Sequence, residues 1–318
     1  MKVLITGSSG ALGRILTNYL ISNSIAVAGI DIQESTEHYP DEYFRFHYCS
    51  VTDKERLKSI FNEEQPTNVV HFACSFNKIR DKAREHEVDI GGAENVLEAT
   101  DNTLSVKQLI FSSSAAAYGG NSDNKIWLKE SDPLRPGKYR YGLNKKIIEK
   151  SYHHASVRDN LQIISLRICT VVGPTFSKPR SVVSLIIKFP FLPGCCADNK
   201  IQFLHSDDMV TLFELILDDK VINGVFNLAP DSYAVVRELV PGKKFRSVPL
   251  SLITGFMWVL WNLKILNLQP AAVSNAVYPI IIDPSKIVSR YGYKFKFSAQ
   301  KAFTDTIHNN QIPLNSKL

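Results

Sequence analysis

Apolar and polar positions in the first half of the chain follow two alternating rhythms. Short runs rich in β-branched residues, at 2–6, 25–31, 43–48, 68–73, 107–112 and 162–167, predict strands. Longer stretches with apolar residues three and four apart, at 12–22, 54–62, 92–100 and 139–155, predict helices between them. Strand and helix alternating at this interval build βαβ units, and so a doubly wound parallel sheet of the α/β class. After Gly173-Pro174 the rhythm breaks, with shorter elements and prolines at 174, 179, 190 and 193. We therefore expect one domain over 1–172 and a second, mainly substrate-binding region over 173–318, with a return to the sheet near 201–228. The sequence has no internal repeat and no low-complexity tract.

The first strand runs into "GSSGALG", which spaces Gly7, Gly10 and Gly13 by three and opens a helix. Glycines between a strand and a helix allow a tight turn, close approach of a pyrophosphate, and close packing of helix on strand. The helix N-terminus, at Ala11 and Leu12, then offers free N–H groups and a partial positive charge to phosphates. The second strand ends at Asp31, 18 residues after Gly13, where a carboxylate accepts from an adenosine ribose diol and repels a 2′-phosphate. The next residue is Ile32, not a base. NAD is therefore expected over NADP on a Rossmann-type domain, although Arg14 could reach a phosphate.

Further along, "YRYGLNKK" contains two tyrosines and two lysines. Tyr141 and Lys145 stand four apart, on one face of a helix. Tyr139 would need a lysine at 143 and finds Leu143. A free tyrosine titrates near pH 10, so a tyrosine base working near neutrality needs a fall of roughly 3 units, about 4 kcal/mol. A nearby ammonium and the positive nicotinamide ring supply a fall of that kind. Ser114 lies at the end of the predicted strand 107–112, just past its last residue, where ligands sit in open α/β sheets. These residues fit hydride transfer by a cofactor, with proton transfer by the protein.

Together these segments resemble the extended branch of the short-chain dehydrogenase/reductase superfamily, the NAD-dependent epimerase/dehydratase family. "VVHFAC" at 69–74, "LIFSSSAAAYG" at 109–119, "ESDPLRP" at 130–136, "QFLHSDDMV" at 202–210 and "DPSKIVSRYGY" at 283–293 are similar to its motifs. The resemblance implies a catalytic set of Ser114, Tyr141 and Lys145, with Lys145 also on the nicotinamide ribose. It implies cofactor contacts from Phe72, Ala73, Cys74 and Ser112, and from Ser50 and Val51 after the third strand. It also implies a homodimer through the helices at 92–100 and 139–155.

Four positions depart from the family's usual pattern. Ser50 and Asp89 stand where Asp and Asn are common, and Thr170 stands where nucleotide-sugar enzymes have Asn. Ile201 occupies the place of an arginine that pairs with a diphosphate; Lys178 or Arg180 could replace it from the loop after Gly173. Substrate contacts are accordingly assigned to Ser114, Thr170, Lys178 and Arg180. Three functions remain open: an epimerase or dehydratase of a sugar nucleotide, a net dehydrogenase or reductase of a more apolar alcohol or ketone, and a non-catalytic cofactor-binding regulator. Retention of both Tyr141 and Lys145 speaks against the third.

Composition narrows the setting. The 318 residues are 44% hydrophobic and 21% charged, with a net charge of +6 from 37 basic and 31 acidic residues. No basic block suits a nucleic-acid backbone. Cys49, Cys74, Cys169 and the vicinal Cys195-Cys196 fit neither a disulfide framework nor a metal site. With the first strand starting at Lys2, we expect no signal peptide and a reducing, cytoplasmic setting. The stretch 248–263 lacks any charge over 16 residues, short of the roughly 20 that a membrane span needs. It predicts a buried or pocket-lining helix, with one on a membrane surface as the alternative. If it lines the site with Trp258 and Trp261, the pocket is apolar.

Overall fold

The computed structural model describes residues 1–35, 37–76, 79–174, 183, 186–187, 191–265 and 269–309. In chain order the first elements are β1 (Lys2–Thr6), α1 (Ala11–Ser22), β2 (Ala26–Asp31), β3 (Phe44–Tyr48), α2 (Lys54–Glu64) and β4 (Asn68–His71). Then come α3 (Lys82–His86), one π-helical turn (Glu87–Gly91), α4 (Gly92–Asn102), β5 (Gln108–Ser114), α5 (Arg140–His154) and β6 (Gln162–Ile168). The later part holds β7 (Thr170–Val172), β8 (Phe191–Pro193), β9 (Lys200–Ile201), β10 (Phe203–His205), α6 (Ser206–Asp218) and β11 (Gly224–Leu228). It closes with β12 (Ala234–Val235), α7 (Val236–Leu239), β13 (Lys244–Arg246), α8 (Leu250–Asn262), α9 (Val273–Val277), α10 (Ser285–Tyr291) and α11 (Ala299–Asn309).

Seven strands form one sheet in the order β11-β6-β5-β4-β1-β2-β3. β1 pairs in parallel with both β2 and β4, so the strand order reverses between them, at the point where doubly wound sheets bind ligands. The chain clusters into two compact units, and the first comprises Met1–Ser113, Asn144–Leu166 and Val210–Phe226. Its central strands β1 and β4 are buried on both faces, as in a sheet covered on both sides. On one face Leu4, Ala28, Val69 and Leu109 pack with Leu57 and Phe61 of α2, Val96 of α4 and Tyr152 of α5. Two polar strand residues are satisfied by the end of α6: Asn68 donates to the Leu217 carbonyl (3.2 Å) and Gln108 to that of Ile216 (2.8 Å).

The second unit comprises Ser114–Leu143, Arg167–Met209 and Asn227–Leu318. Its pairings are short: β7 with β10 in parallel, β9 with β12 antiparallel, β8 with β13 in parallel. One apolar cluster gathers Val172, Phe203, Leu239, Phe303 and Ile307. Asp208 is fully buried and accepts from the Tyr293 hydroxyl (2.6 Å) and from the backbone N–H groups of Lys296 and Phe297. His205 stacks on Phe297 at 3.8 Å. The "FLHSDD" and "YGYKFKF" segments therefore brace each other within this unit.

One expectation, that the uncharged stretch is buried, is overturned. The uncharged stretch does form a helix, α8, but none of its residues is buried. Leu252, Phe256, Trp258 and Leu263 are each at least 60% exposed. A run apolar on every side gives no angular signal of which face a helix buries, and here part of it faces outward.

Candidate active site

In the first unit, the glycine loop leaves β1 at Gly7, whose φ of +74° is reached cheaply only by glycine. A Cβ there would lie 2.7 Å from the Ala73 nitrogen, so the loop backs directly onto the exit of β4. A Cβ on Gly13 would lie 2.2 Å from the Gly7 carbonyl oxygen, which fixes α1 against the loop. Gly10 caps α1 without a side chain, so no side-chain oxygen occupies the first-turn amides. The Ser8 and Ser9 hydroxyls beside them are buried with no partner among the described residues. Uncapped amides and unsatisfied hydroxyls around a glycine cradle fit an anionic phosphate group.

Asp31 stands at the end of β2. Its carboxylate accepts from the Ser9 N–H (3.0 Å) and the Gln33 N–H (3.1 Å), which orients it and leaves acceptor capacity for a diol. Arg14, the competing phosphate ligand, has Glu37 at 3.7 Å. Ile32 is 57% exposed and offers no charge. The Ser50 hydroxyl pairs with that of Thr52 at 2.8 Å, and Val51 is buried beside Gly92. Asp53 caps α2 by accepting from Arg56 N–H.

Lys145 is almost wholly buried. Its ammonium donates to the Ser112 carbonyl at 2.6 Å and stands 4.8 Å from the Phe111 ring centroid. Below it, His71 shares a hydrogen bond of 2.7 Å with the Thr6 hydroxyl. Burial, reinforced by the Lys145 charge, pushes the imidazole down to about 3. His71 is therefore neutral, and Lys145 carries the positive charge. Asn144 donates to Asp89 at 3.0 Å, and Asp89 also accepts from the Ser75 N–H (2.6 Å) and hydroxyl (3.0 Å). Asp89 thus works at its departed position as an acceptor for α5, held by a π-helical turn of the kind often found at functional sites. The Ser113 hydroxyl donates to Glu149 at 2.9 Å, a second tie between β5 and α5.

In the second unit, Ser114 ends β5 and its hydroxyl accepts from Ala116 N–H at 3.1 Å. That bond sets its rotamer and keeps its own hydrogen for donation. Tyr141 is half-buried, with the Tyr139 ring at 5.9 Å. A Cβ on Gly142 would meet the Ala116 carbonyl oxygen at 2.4 Å. The start of α5 is therefore pressed onto the turn after Ser114 as only glycine permits. Tyr141 and Lys145 lie one turn apart on this helix. Tyr118, by contrast, is structural: it is buried, its pKa is pushed up to about 12 by that burial, and it is hydrogen-bonded to Arg167 and Asn227.

Thr170 lies half-buried in β7 beside Phe203. Ile201 packs against the apolar cluster of its unit, and Lys200 lies over the Tyr233 ring at 5.2 Å. Lys178 and Arg180 lie outside the described residues. Sequence reasoning missed Gly142, Asn144, Ser113 and Glu149. The first has a readable signal, a glycine directly after the candidate base.

Comparison with known proteins gives consistent likenesses. The profile of the "NAD dependent epimerase/dehydratase family" matches residues 3–229. The chain is 29% identical over 177 residues to a UDP-glucose 4-epimerase of Lacticaseibacillus casei, covering 54% of this chain and 52% of that protein. It is 25% identical over 259 residues to a dTDP-D-glucose 4,6-dehydratase of Dictyostelium discoideum, covering 72% and 58%. These matches thus span little more than half of either relative. Among solved structures, the Bordetella bronchiseptica enzyme WbmG in complex with NAD and UDP superposes with a TM-score of 0.77 at 22% identity, covering 97% of this chain and 94% of that one. The Thermotoga maritima UDP-glucose 4-epimerase with UDP-glucose gives 0.76 at 22% identity, covering 98% and 99%.

Proposed function

The chain belongs to the NAD dependent epimerase/dehydratase family, and on that premise we propose an NAD-dependent oxidoreductase that moves a hydride at a hydroxyl-bearing carbon of a sugar nucleotide. The observation that carries this reading is the buried Lys145 ammonium, one turn after Tyr141 on α5 and fixed to the Ser112 carbonyl. A desolvated cation in that place serves little purpose in packing and much in holding a phenolate.

The residues divide the work as follows. Gly7, Gly10, Gly13 and the amides at Ala11 and Leu12 would take the pyrophosphate of NAD, Asp31 the adenosine ribose, and Lys145 the nicotinamide ribose. Ser50, Val51, Phe72, Ala73, Cys74 and Ser112 would line its remaining length. When bound, NAD would supply the hydride chemistry. Tyr141 takes the proton of the substrate hydroxyl and gives it back on the reverse step. Lys145 lowers the Tyr141 pKa by its charge. Ser114 donates a hydrogen bond to the reacting oxygen and holds it still. Thr170, with Lys178 and Arg180, would meet the substrate.

Ile201 favours a second reading. Its side chain packs in an apolar cluster at the place where nucleotide-sugar enzymes commonly carry arginine. That suits a net dehydrogenase or reductase acting on a more apolar alcohol or ketone. Two measurements separate the readings. An absorbance and mass spectrum of the denatured protein reports whether NAD survives purification, as an enzyme without net cofactor turnover allows. Calorimetry with UDP on the NAD-loaded protein follows: micromolar binding supports the sugar nucleotide, and none at millimolar concentration overturns it.

The same reading includes a cytoplasmic homodimer through α4 and α5. Leu143 and Ile147, one turn apart on α5, are 38% and 37% exposed and would be covered in it. Light scattering at micromolar concentration tests this.

A further inference from the structure

Helix α8 carries an apolar stripe that its own unit leaves uncovered. Leu252, Phe256, Val259 and Leu263 follow the spacing i, i+4, i+7, i+11 and so share one face, with exposures of 63, 60, 43 and 63%. Trp258 is also 60% exposed, but it lies about a third of a turn from the stripe, beyond Ser251, Gly255 and Asn262. The opposite side, with Ile253, Met257, Leu260 and Trp261, is half-buried. A face of this kind on a folded protein marks a contact with something else.

Charge says what that something is. From Leu239 to Ile282 there is no acidic residue, and the basic ones bracket the helix: Lys243, Lys244 and Arg246 before it, Lys264 after it. On β13 the pattern alternates, with Lys244 and Arg246 exposed and Phe245 packed inward, so both cations stand on one side of the strand that leads into α8. An apolar stripe with cations at both ends matches the juxtaposition of acyl chains and anionic headgroups at a lipid surface. Thirteen residues make about 20 Å of helix, against about 30 Å of hydrocarbon, and no helix among the described residues is long and apolar enough to cross a membrane. We propose that α8 docks the protein flat on an anionic membrane surface, with Leu252, Phe256, Val259 and Leu263 in the acyl boundary and Lys244, Arg246 and Lys264 at the headgroups.

The test is flotation of the full-length protein with vesicles of phosphatidylcholine alone or mixed equally with phosphatidylglycerol. The protein should partition at least tenfold more strongly onto the anionic vesicles and lose that preference in high salt. The double variant Phe256→Glu/Leu263→Glu changes only exposed positions, so it should keep its circular dichroism and thermal midpoint and lose at least tenfold in partitioning. The charge-reversing variant Lys244→Glu lies outside the helix and should lower the anionic preference on its own. Absence of wild-type binding, or equal flotation of all variants, overturns the proposal. So does a soluble dimer dissolved by Phe256→Glu/Leu263→Glu without any vesicle binding, which would give the stripe to a second copy of the chain.

Discussion

Acidification should destabilise the first unit through a single imidazole. His71 is buried at the end of β4 and held down to about 3 by burial and the Lys145 charge, against an ordinary value of 6.5. The unfolded chain therefore binds a proton that the folded chain refuses. Stability from this group is complete above the unfolded value and falls as pH drops from about 6.5 toward about 3. At pH 5 an unfolded imidazole is almost fully protonated and the folded one is not. From pH 7 to pH 5 the linkage costs about 2 kcal/mol, at roughly 1.4 kcal/mol per unit of pH once below the unfolded value. This figure depends on the unfolded value alone, because the folded one lies well below pH 5. The perturbation is His71→Asn, whose amide can keep the Thr6 hydrogen bond and does not titrate. Urea unfolding at pH 7 and pH 5 should show the wild type losing about 2 kcal/mol more than the variant over that interval. Lys145→Met should retain most of the difference, since burial is the larger cause. If wild type and His71→Asn lose stability in parallel, or the folded imidazole titrates near 6.5 by NMR, the neutral His71 is refuted.

Tyr141→Phe should abolish turnover and leave NAD affinity nearly intact, while Lys145→Ala should damage both; wild-type rates in Tyr141→Phe would remove the mechanism. Asp31→Ala should cost NAD about 1.5–3 kcal/mol, a ten- to hundredfold weaker Kd, and narrow its preference over NADP, as titration of both cofactors would report. Gly142→Ala places a methyl 2.4 Å from the Ala116 carbonyl, so α5 must shift by several tenths of an ångström. Turnover should fall by about a hundredfold with the loss concentrated in kcat, and an unchanged kcat would show that this contact does not set the position of Tyr141. Ile201→Arg forces a guanidinium into an apolar cluster and should lower the thermal midpoint rather than tighten UDP, a point that calorimetry and a melting curve decide together.

The nucleotide half of the molecule was legible because its rules are local. Glycine spacing after a strand, an acid at the end of β2, and a lysine one turn after a tyrosine each follow from backbone geometry within a few residues. What escaped notice depends on residues distant in sequence. Asp89 reads as a departure until Asn144 and Ser75 are seen to donate to it. Glu149 carries no local signal that Ser113, 36 residues away, lies against it. Gly142 matters only because the Ala116 carbonyl lies where its side chain would be. The exposed α8 was misread for a different reason: hydrophobicity reports a preference for leaving water, and that preference does not say whether the refuge lies within the chain or outside it.

The division of the first unit into three chain segments has a bearing on how the protein is made. Its last segment, Val210–Phe226, arrives nearly a hundred residues after Ser113, most of them belonging to the other unit, and it supplies the carbonyls at Ile216 and Leu217 that satisfy Gln108 and Asn68. A ribosome adding about 5–20 residues per second needs roughly 6–23 s to pass from Ser113 to Phe226. Until then a nascent chain already carrying the whole glycine loop has an unpaired edge at β6 and bare polar groups on β4 and β5. Nucleotide-binding competence is therefore a late event in synthesis. A polypeptide stopped at Met209 should be a client of chaperones and proteases, even though it contains every residue assigned to NAD.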